Sequence, residues 1–411
     1  MTEVHVKREL RSGVVLLGLL SGLAWGCSSD ATGGPTGSWV GTWSASPLCF
    51  QAATVLGLSR STKFDDQTIR MVVHASIGGD AVRVRLTNHC GEVPLEIGAA
   101  SIGIRESESS IRAGTERTLR FDGRDAVVIP PGETLTTDPV ELGVPALGDL
   151  AISIYLPGET VPTTSHPQAA RSFVSGRGDF TADVAGGAFG SVVPHWFFLD
   201  AVEVVARDDA AAVVAFGDSV TEGTGTTFDA NRRWPDFLAR RLVVANRTLG
   251  VLNQGINGNR VLNTLLGDSA LARFDRDVLG QAGVKYVILL EGINDIGLGS
   301  PDVTAEQIIT GYEELIERAH ARGLAIFGGT LTPAEGNPYA FYASYDESKR
   351  VAVNRFIREG GAFDGVVDFA AAVSDPSNPA RWRPGLSVDA LHPSDAGAEA
   401  LANAVDLTLF E

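Results

Sequence analysis

A chain of 411 residues exceeds what one hydrophobic core ordinarily fills, so two domains are expected. The composition, 44% hydrophobic and 20% charged, excludes a disordered chain. A formal charge of −17 weighs against nucleic acid and anionic membranes as partners, because both call for basic patches.

At the N-terminus, Lys7, Arg8 and Arg11 precede an apolar run from Val14 to Trp25, followed by Gly26 and Cys27. The run is short for a bilayer span and has the layout of an export signal. Leu23-Ala24-Trp25-Gly26-Cys27 resembles a bacterial lipoprotein signal, in which the cysteine becomes the lipidated first residue. Ala24 stands where leucine is commonest and Trp25 is bulky, while Ala24 and Gly26 also suit ordinary signal cleavage. Residues 1–27 therefore read as an export signal with lipidation expected at Cys27, and residues 28–37 as a flexible tether. Setting Cys27 aside leaves Cys49 and Cys90 in a compartment where disulfides persist. A Cys49–Cys90 bridge is expected, with two buried thiols as the alternative.

Residues 38–207 read as β-structure. Ala81 to Leu86 alternates, with Val82, Val84 and Leu86 on one face and Arg83 and Arg85 on the other. Ile69 to Ile77 precedes it across Gly78-Gly79-Asp80, which predicts a hairpin. Leu150, Ile152, Ile154 and Leu156 repeat the period of two. Short strands between frequent turn signals predict an all-β sandwich or jelly roll that serves as an accessory domain. His74, His89, His166 and His195 lack ligand spacing and read as structural. Trp43, Trp196, Phe197 and Phe198 read as core, with a sugar-binding face as the alternative.

From about Arg207, strand-like and helix-like stretches alternate, the signature of a parallel sheet with crossover helices. Ala212 to Phe216 is a buried strand ending in Gly217-Asp218-Ser219. Arg233 to Asn246 predicts a helix with Pro235 in its first turn. Val251-Leu252-Asn253 and Val284 to Leu290 predict strands. Thr304 to Arg322 predicts a helix opened by a Thr304/Gln307 capping box and closed by Gly323. Ala325-Ile326-Phe327 predicts a strand, Ser348 to Glu359 a helix and Val366 to Phe369 a fifth strand. A last helix is expected from about Ser394 to Leu409.

Four blocks then converge on one edge of that sheet: Gly217-Asp218-Ser219, Asn253 to Gly258, Gly292-Ile293-Asn294-Asp295, and Asp389-Ala390-Leu391-His392-Pro393. Their order and spacing resemble the SGNH, or GDSL, serine hydrolases over residues 210–411. Gly41 to Pro47 also resembles the β-rich region preceding the hydrolase domain in a secreted bacterial branch. The resemblance implies a flavodoxin-like three-layer α/β/α fold for residues 208–411. It also implies an oxyanion hole made by the N–H groups of Ser219 and Gly255 and the side-chain amide of Asn294.

The residues support a compatible reading of their own. A serine hydroxyl needs a base, and this half contains two histidines. His320 lies near a helix C-terminus and reads as structural, which leaves His392, with Asp389 three residues earlier as its orienting partner. Asp218 and Asp295 read as loop-ordering residues. No metal or cofactor is required, and no nucleotide-binding glycine motif is present. The expectation is an extracytoplasmic esterase with a Ser219–His392–Asp389 triad, acting on short-chain carboxylic esters such as O-acetyl groups on carbohydrate. A glycan-binding surface lipoprotein with an inactive hydrolase domain, and an acyltransferase using the same triad, are the alternatives.

Overall fold

Strong alternation and close-set turns make strands the regular elements of the first half of the chain, among its described residues. The computed structural model describes residues 37–49, 63–299, 302–343 and 345–411. The expected signal, Cys27 and nearly all of the tether lie outside the described residues.

The principal strands of this half are β1 (Trp39–Ser44), β2 (Gln67–His74), β3 (Gly79–Thr87), β4 (Ala99–Ser107), β5 (Asp149–Leu156), β6 (Thr164–Arg177), β7 (Phe189–Phe197) and β8 (Leu199–Val205). One antiparallel sheet contains β1, β8 and β3 in that order; a second runs β7-β6-β2-β5-β4. Their inward residues share one apolar core. Trp43, Trp196, Phe197 and Phe198 are all buried in it, which removes the sugar-binding alternative for these four.

The hairpin expected across Gly78-Gly79-Asp80 does not form. β2 and β3 fall in different sheets. The connecting segment is diverted onto β1: Ser76 N–H and Oγ donate to Thr42 C=O, and Thr42 Oγ1 donates to Ile77 C=O at 2.7 Å. Those bonds hold the chain where a return turn would begin.

The second half alternates as its periodicities imply. Its principal elements are β9 (Ala211–Gly217), α1 (Ser219–Glu222), α2 (Trp234–Val244), β10 (Leu249–Gly255), β11 (Val284–Leu290), α3 (Ile293–Gly297), α4 (Ala305–Ala321), β12 (Ala325–Gly329), α5 (Glu347–Glu359), β13 (Gly365–Val367) and α6 (Asp395–Ala404). The parallel sheet is ordered β10-β9-β11-β12-β13, the flavodoxin-like arrangement, and β9 is buried along its whole length. α4 opens with the Thr304/Gln307 capping box and presents Ile308, Tyr312, Leu315, Ile316 and Ala319 to the core.

β1 lies against β10, the edge strand of this sheet. Gly41 meets Gly250 so closely that a Cβ on Gly250 would collide with the Gly41 carbonyl, so position 250 requires the absence of a side chain. Gly41 N–H donates to Ala282 C=O at 2.9 Å, and Arg85 reaches Gly280 C=O and Gln281 Oε1 at 3.0 Å each. The edge strand is thereby covered rather than left open to pairing.

Candidate active site

Ser219 follows the carboxyl end of β9, beside the point where strand order reverses, which is where open α/β sheets bind ligands. Asp218 caps the single-turn helix α1 by accepting the Val220 N–H at 2.9 Å. Ser219 is the first residue of that helix, so its own N–H has no intrahelical acceptor.

The His392 loop is built by Asp389. Its Oδ1 accepts the N–H groups of Leu391 at 3.0 Å and His392 at 2.7 Å, with Ala390 between them at φ 61°. That tight turn folds the imidazole back onto the same carboxylate, His392 Nδ1 to Asp389 Oδ2 at 2.6 Å. On the far side of the ring, Nε2 lies 3.0 Å from Ser219 Oγ. With Nδ1–H donated to the carboxylate, Nε2 is left to accept the serine proton. Burial alone would raise Asp389, but the bonds from His392 and Tyr339 outweigh it and hold the carboxyl well below its ordinary range. Ser219, His392 and Asp389 are thus brought together in the order needed for a hydroxyl to be deprotonated in place.

The donor set facing this serine differs from expectation at one position. Gly255 N–H donates to Asn253 Oδ1 at 2.9 Å, while Asn253 Nδ2 donates to Thr221 C=O at the same distance. Gly255 lies packed on the Glu222 backbone and is engaged, so it is not a free oxyanion donor. Three residues on, Gly258, at φ 69°, has an N–H with no acceptor among the described residues. The next residue, Asn259, accepts the Asn294 Nδ2 donor on its carbonyl at 2.9 Å. Gly258 therefore lies in the loop that touches the Asn294 amide. One of the two Asn294 Nδ2–H bonds goes to Asn259 and the second remains for a ligand.

Beneath these groups lies a buried ionic node that sequence reading missed. Arg273, fully buried, donates to Gly217 C=O and Asn259 Oδ1 at 2.9 Å and to Gln254 C=O at 2.8 Å. It also reaches Asp277 at 3.1 Å and Glu291 at 3.5 Å. Ser46, from the strand-rich half, accepts from Arg273 at 3.0 Å and donates to Gln254 Oε1 at 2.5 Å, while Gln254 Nε2 donates to Ser44 Oγ at 2.7 Å. One network thus joins the Thr42-Trp43-Ser44-Ala45-Ser46 segment to the loops carrying Ser219 and Gly258. Gln254, inside a block already singled out, was the available sequence signal.

Carboxyls around the site are buried with few cations to match them. Burial pushes Asp218 up to about 7, against the Val220 N–H that favours its charged form. Asp295 is raised to about 6, although it accepts the N–H groups of Val261 at 2.7 Å and Leu262 at 3.1 Å. Both order loops. Glu222 is pushed to about 7 by burial.

The other histidines are accounted for locally. His74 pairs with Asp149, His89 lies beside Arg276, His166 donates to Ser46 C=O, and His320 contacts Asp364 on the surface. Burial lowers His195 to about 4. Cys49 and Cys90 are joined in a disulfide with Cα atoms 5.1 Å apart. His89 lies near both sulfurs, but bonded sulfurs offer no thiolate to a metal. Among the described residues no helix is long and apolar enough to cross a membrane.

The GDSL-like lipase/acylhydrolase family matches residues 215–400. Among curated proteins, an uncharacterized lipoprotein of Bacillus subtilis, YqeF, is 29% identical over 159 residues, which is 36% of this chain and 59% of the relative. The chain thus spans about three fifths of that relative's length. A solved GDSL-like lipase from Bacteroides thetaiotaomicron is 18% identical, covering 50% of this chain and 90% of its own, with a TM-score of 0.40. The lipase/acylhydrolase from Enterococcus faecalis is 20% identical, covering 47% and 92%, with a TM-score of 0.37. The four blocks, their meeting at the edge of the parallel sheet and the match over 215–400 place the second half of this chain in the GDSL-like lipase/acylhydrolase family, a family of hydrolases.

Proposed function

We propose that this protein is an exported serine esterase that cleaves short-chain carboxylic esters through an acyl-enzyme. Ser219 is the nucleophile, His392 the general base and then acid, and Asp389 the residue that orients it. The reading is carried by the unbroken relay Asp389–His392–Ser219, with contacts of 2.6 and 3.0 Å.

In acylation, Ser219 Oγ bonds to the ester carbonyl carbon while its proton passes to His392 Nε2. The carbonyl oxygen becomes an oxyanion facing the N–H groups of Ser219 and Gly258 and the unpaired Asn294 Nδ2–H. Each such donor is worth about 2.7–4 kcal/mol of barrier. Collapse breaks the bond to the alcohol oxygen, which takes the proton back from His392. A water then repeats the sequence on the acyl-serine and restores the hydroxyl.

The burial of the reacting side chains, with Ser219 3% exposed and His392 8%, supports a preference for short acyl groups. O-acetyl groups on carbohydrate are the favoured natural substrates. Export rests on the apolar run before Cys27, and the lipoprotein relative supports an anchor at that cysteine.

A fluorophosphonate probe is expected to label the protein once, on the peptide containing Ser219. p-Nitrophenyl acetate or butyrate should turn over fastest in a chain-length series. An unlabelled protein would favour a binding role for the hydrolase half. A clear optimum at long chains would overturn the short-acyl assignment, and transfer of the acyl group to an added alcohol in place of water would favour acyltransfer.

A further inference from the structure

Two tyrosines outside all four sequence blocks bond the groups that the proposed chemistry needs held still. Tyr339 and Tyr342 belong to a segment joining β12 to α5. It is fixed upstream by Leu331 N–H on Asn354 Oδ1 at 2.7 Å and by Trp382 Nε1–H on Pro333 C=O at 2.6 Å.

Tyr339 donates its hydroxyl to Asp389 Oδ2 at 2.7 Å, the oxygen that also accepts His392 Nδ1–H. Its ring stands edge-on to the imidazole, with centroids 6.2 Å apart. Oδ1 already accepts two backbone N–H groups, so the second donor on Oδ2 leaves the carboxylate no alternative orientation.

Tyr342, buried, donates to Asn294 Oδ1 at 2.5 Å. Gly297, three residues beyond Asn294 on α3, makes room for its ring, because a Cβ there would overlap it. An Asn amide has two possible orientations, and here the neighbours decide between them. Flipping it would set its oxygen against the Asn259 carbonyl, with no proton between them. Burial raises the Tyr342 hydroxyl well above its ordinary range, so it remains a donor at any working pH.

We propose that Tyr339 and Tyr342 are positioning residues, one fixing the carboxylate that orients His392 and the other fixing the Asn294 amide toward the oxyanion. The proposal rests on the Ser219 reading above, and the test separates the two.

With p-nitrophenyl acetate, Tyr342→Phe is expected to lower kcat about tenfold and leave KM within about twofold, since the lost order matters only as charge develops. Asn294→Ala is expected to lose about a hundredfold, within the range for one oxyanion donor. Adding Tyr342→Phe to Asn294→Ala should then cost nothing more, because the tyrosine acts through that amide. Tyr339→Phe should shift the low-field proton resonance of His392 Nδ1–H and lower kcat severalfold. Tyr339 is only partly buried, so this second variant carries the test should Tyr342→Phe fail to fold. Full turnover in both tyrosine variants, or losses that simply multiply with Asn294→Ala, would overturn the proposal. Ser219→Ala is run alongside. If it abolishes turnover while the tyrosine variants are unaffected, only the positioning roles fail. If it retains the wild-type rate, the underlying reading fails.

Discussion

Glu222 sits three residues beyond Ser219 on the same helical turn, with its carboxyl buried where an imidazole faces it. His166 Nε2 lies 3.6 Å from Glu222 Oε1, and that oxygen has no hydrogen-bond partner among the described residues. Burial lowers His166 to about 4, so the ring is neutral and the contact is no ion pair. Glu222 itself is raised from 4.5 to about 7, meaning the folded state holds the proton more tightly than the unfolded chain. The protein is then most stable with respect to this group below about pH 4.5 and loses that stability as pH rises toward 7. Glu222→Gln removes the dependence. Its stability relative to wild type, measured by urea unfolding, should improve between pH 5 and pH 8, with a ceiling of about 3 kcal/mol. A difference that stays flat across that range would mean the carboxyl is not held neutral. At this scale the sequence indicated which side chains the fold brings together, since the four-block resemblance and the scarcity of histidine pointed to Ser219, Asp389 and His392, which bond one another in the structure. It did not separate Gly255 from Gly258, because which glycine keeps its N–H free depends on the Asn253 side chain folding back. Tyr339 and Tyr342 stand in no periodic pattern, and only the path of their segment shows what they touch.

Elements whose character is written in local chemistry emerged where expected. The β11 strand coincides with Val284–Leu290, and α4 begins at the Thr304/Gln307 capping box. The β2–β3 hairpin was misread because turn residues report that a chain bends, not which sheet receives it; Thr42 decided that from 35 positions away. The Thr42–Ser46 segment illustrates the same limit. Its serines bond Gln254 and Arg273 across more than 200 positions, a relation with no local signature. Ser46→Ala leaves Gln254 Oε1 without its donor and removes one acceptor of a buried guanidinium, a loss of about 1–3 kcal/mol. Because Arg273 also bonds Gly217 C=O and Asn259 Oδ1, turnover should fall severalfold as well. Thr304→Ala is the matched control: a lost cap costs about 1 kcal/mol, and turnover should be untouched. Equal effects of the two substitutions on kcat would show that the serine network does not reach the site.

At the scale of the whole chain, the strand-rich half and the parallel sheet are bound through β1. It pairs with β8 on one side and lies on β10 on the other, with Gly41 touching Gly250 and Ser44 and Ser46 entering the ionic node. The passage from strands to a parallel sheet with crossover helices was legible from the shift in periodicity near Arg207, and the flavodoxin-like arrangement from the family resemblance. The depth of this attachment was not, because it is built from single polar residues rather than from a pattern. What the assembly secures is one hydroxyl, held 3.0 Å from an imidazole whose other nitrogen is tied to a carboxylate. The most direct test is the initial rate of p-nitrophenyl acetate hydrolysis by the folded Ser219→Ala variant beside the wild type. Loss of the relay should lower kcat by about 10³-fold or more; a variant as fast as the wild type would contradict the assignment of Ser219 as nucleophile.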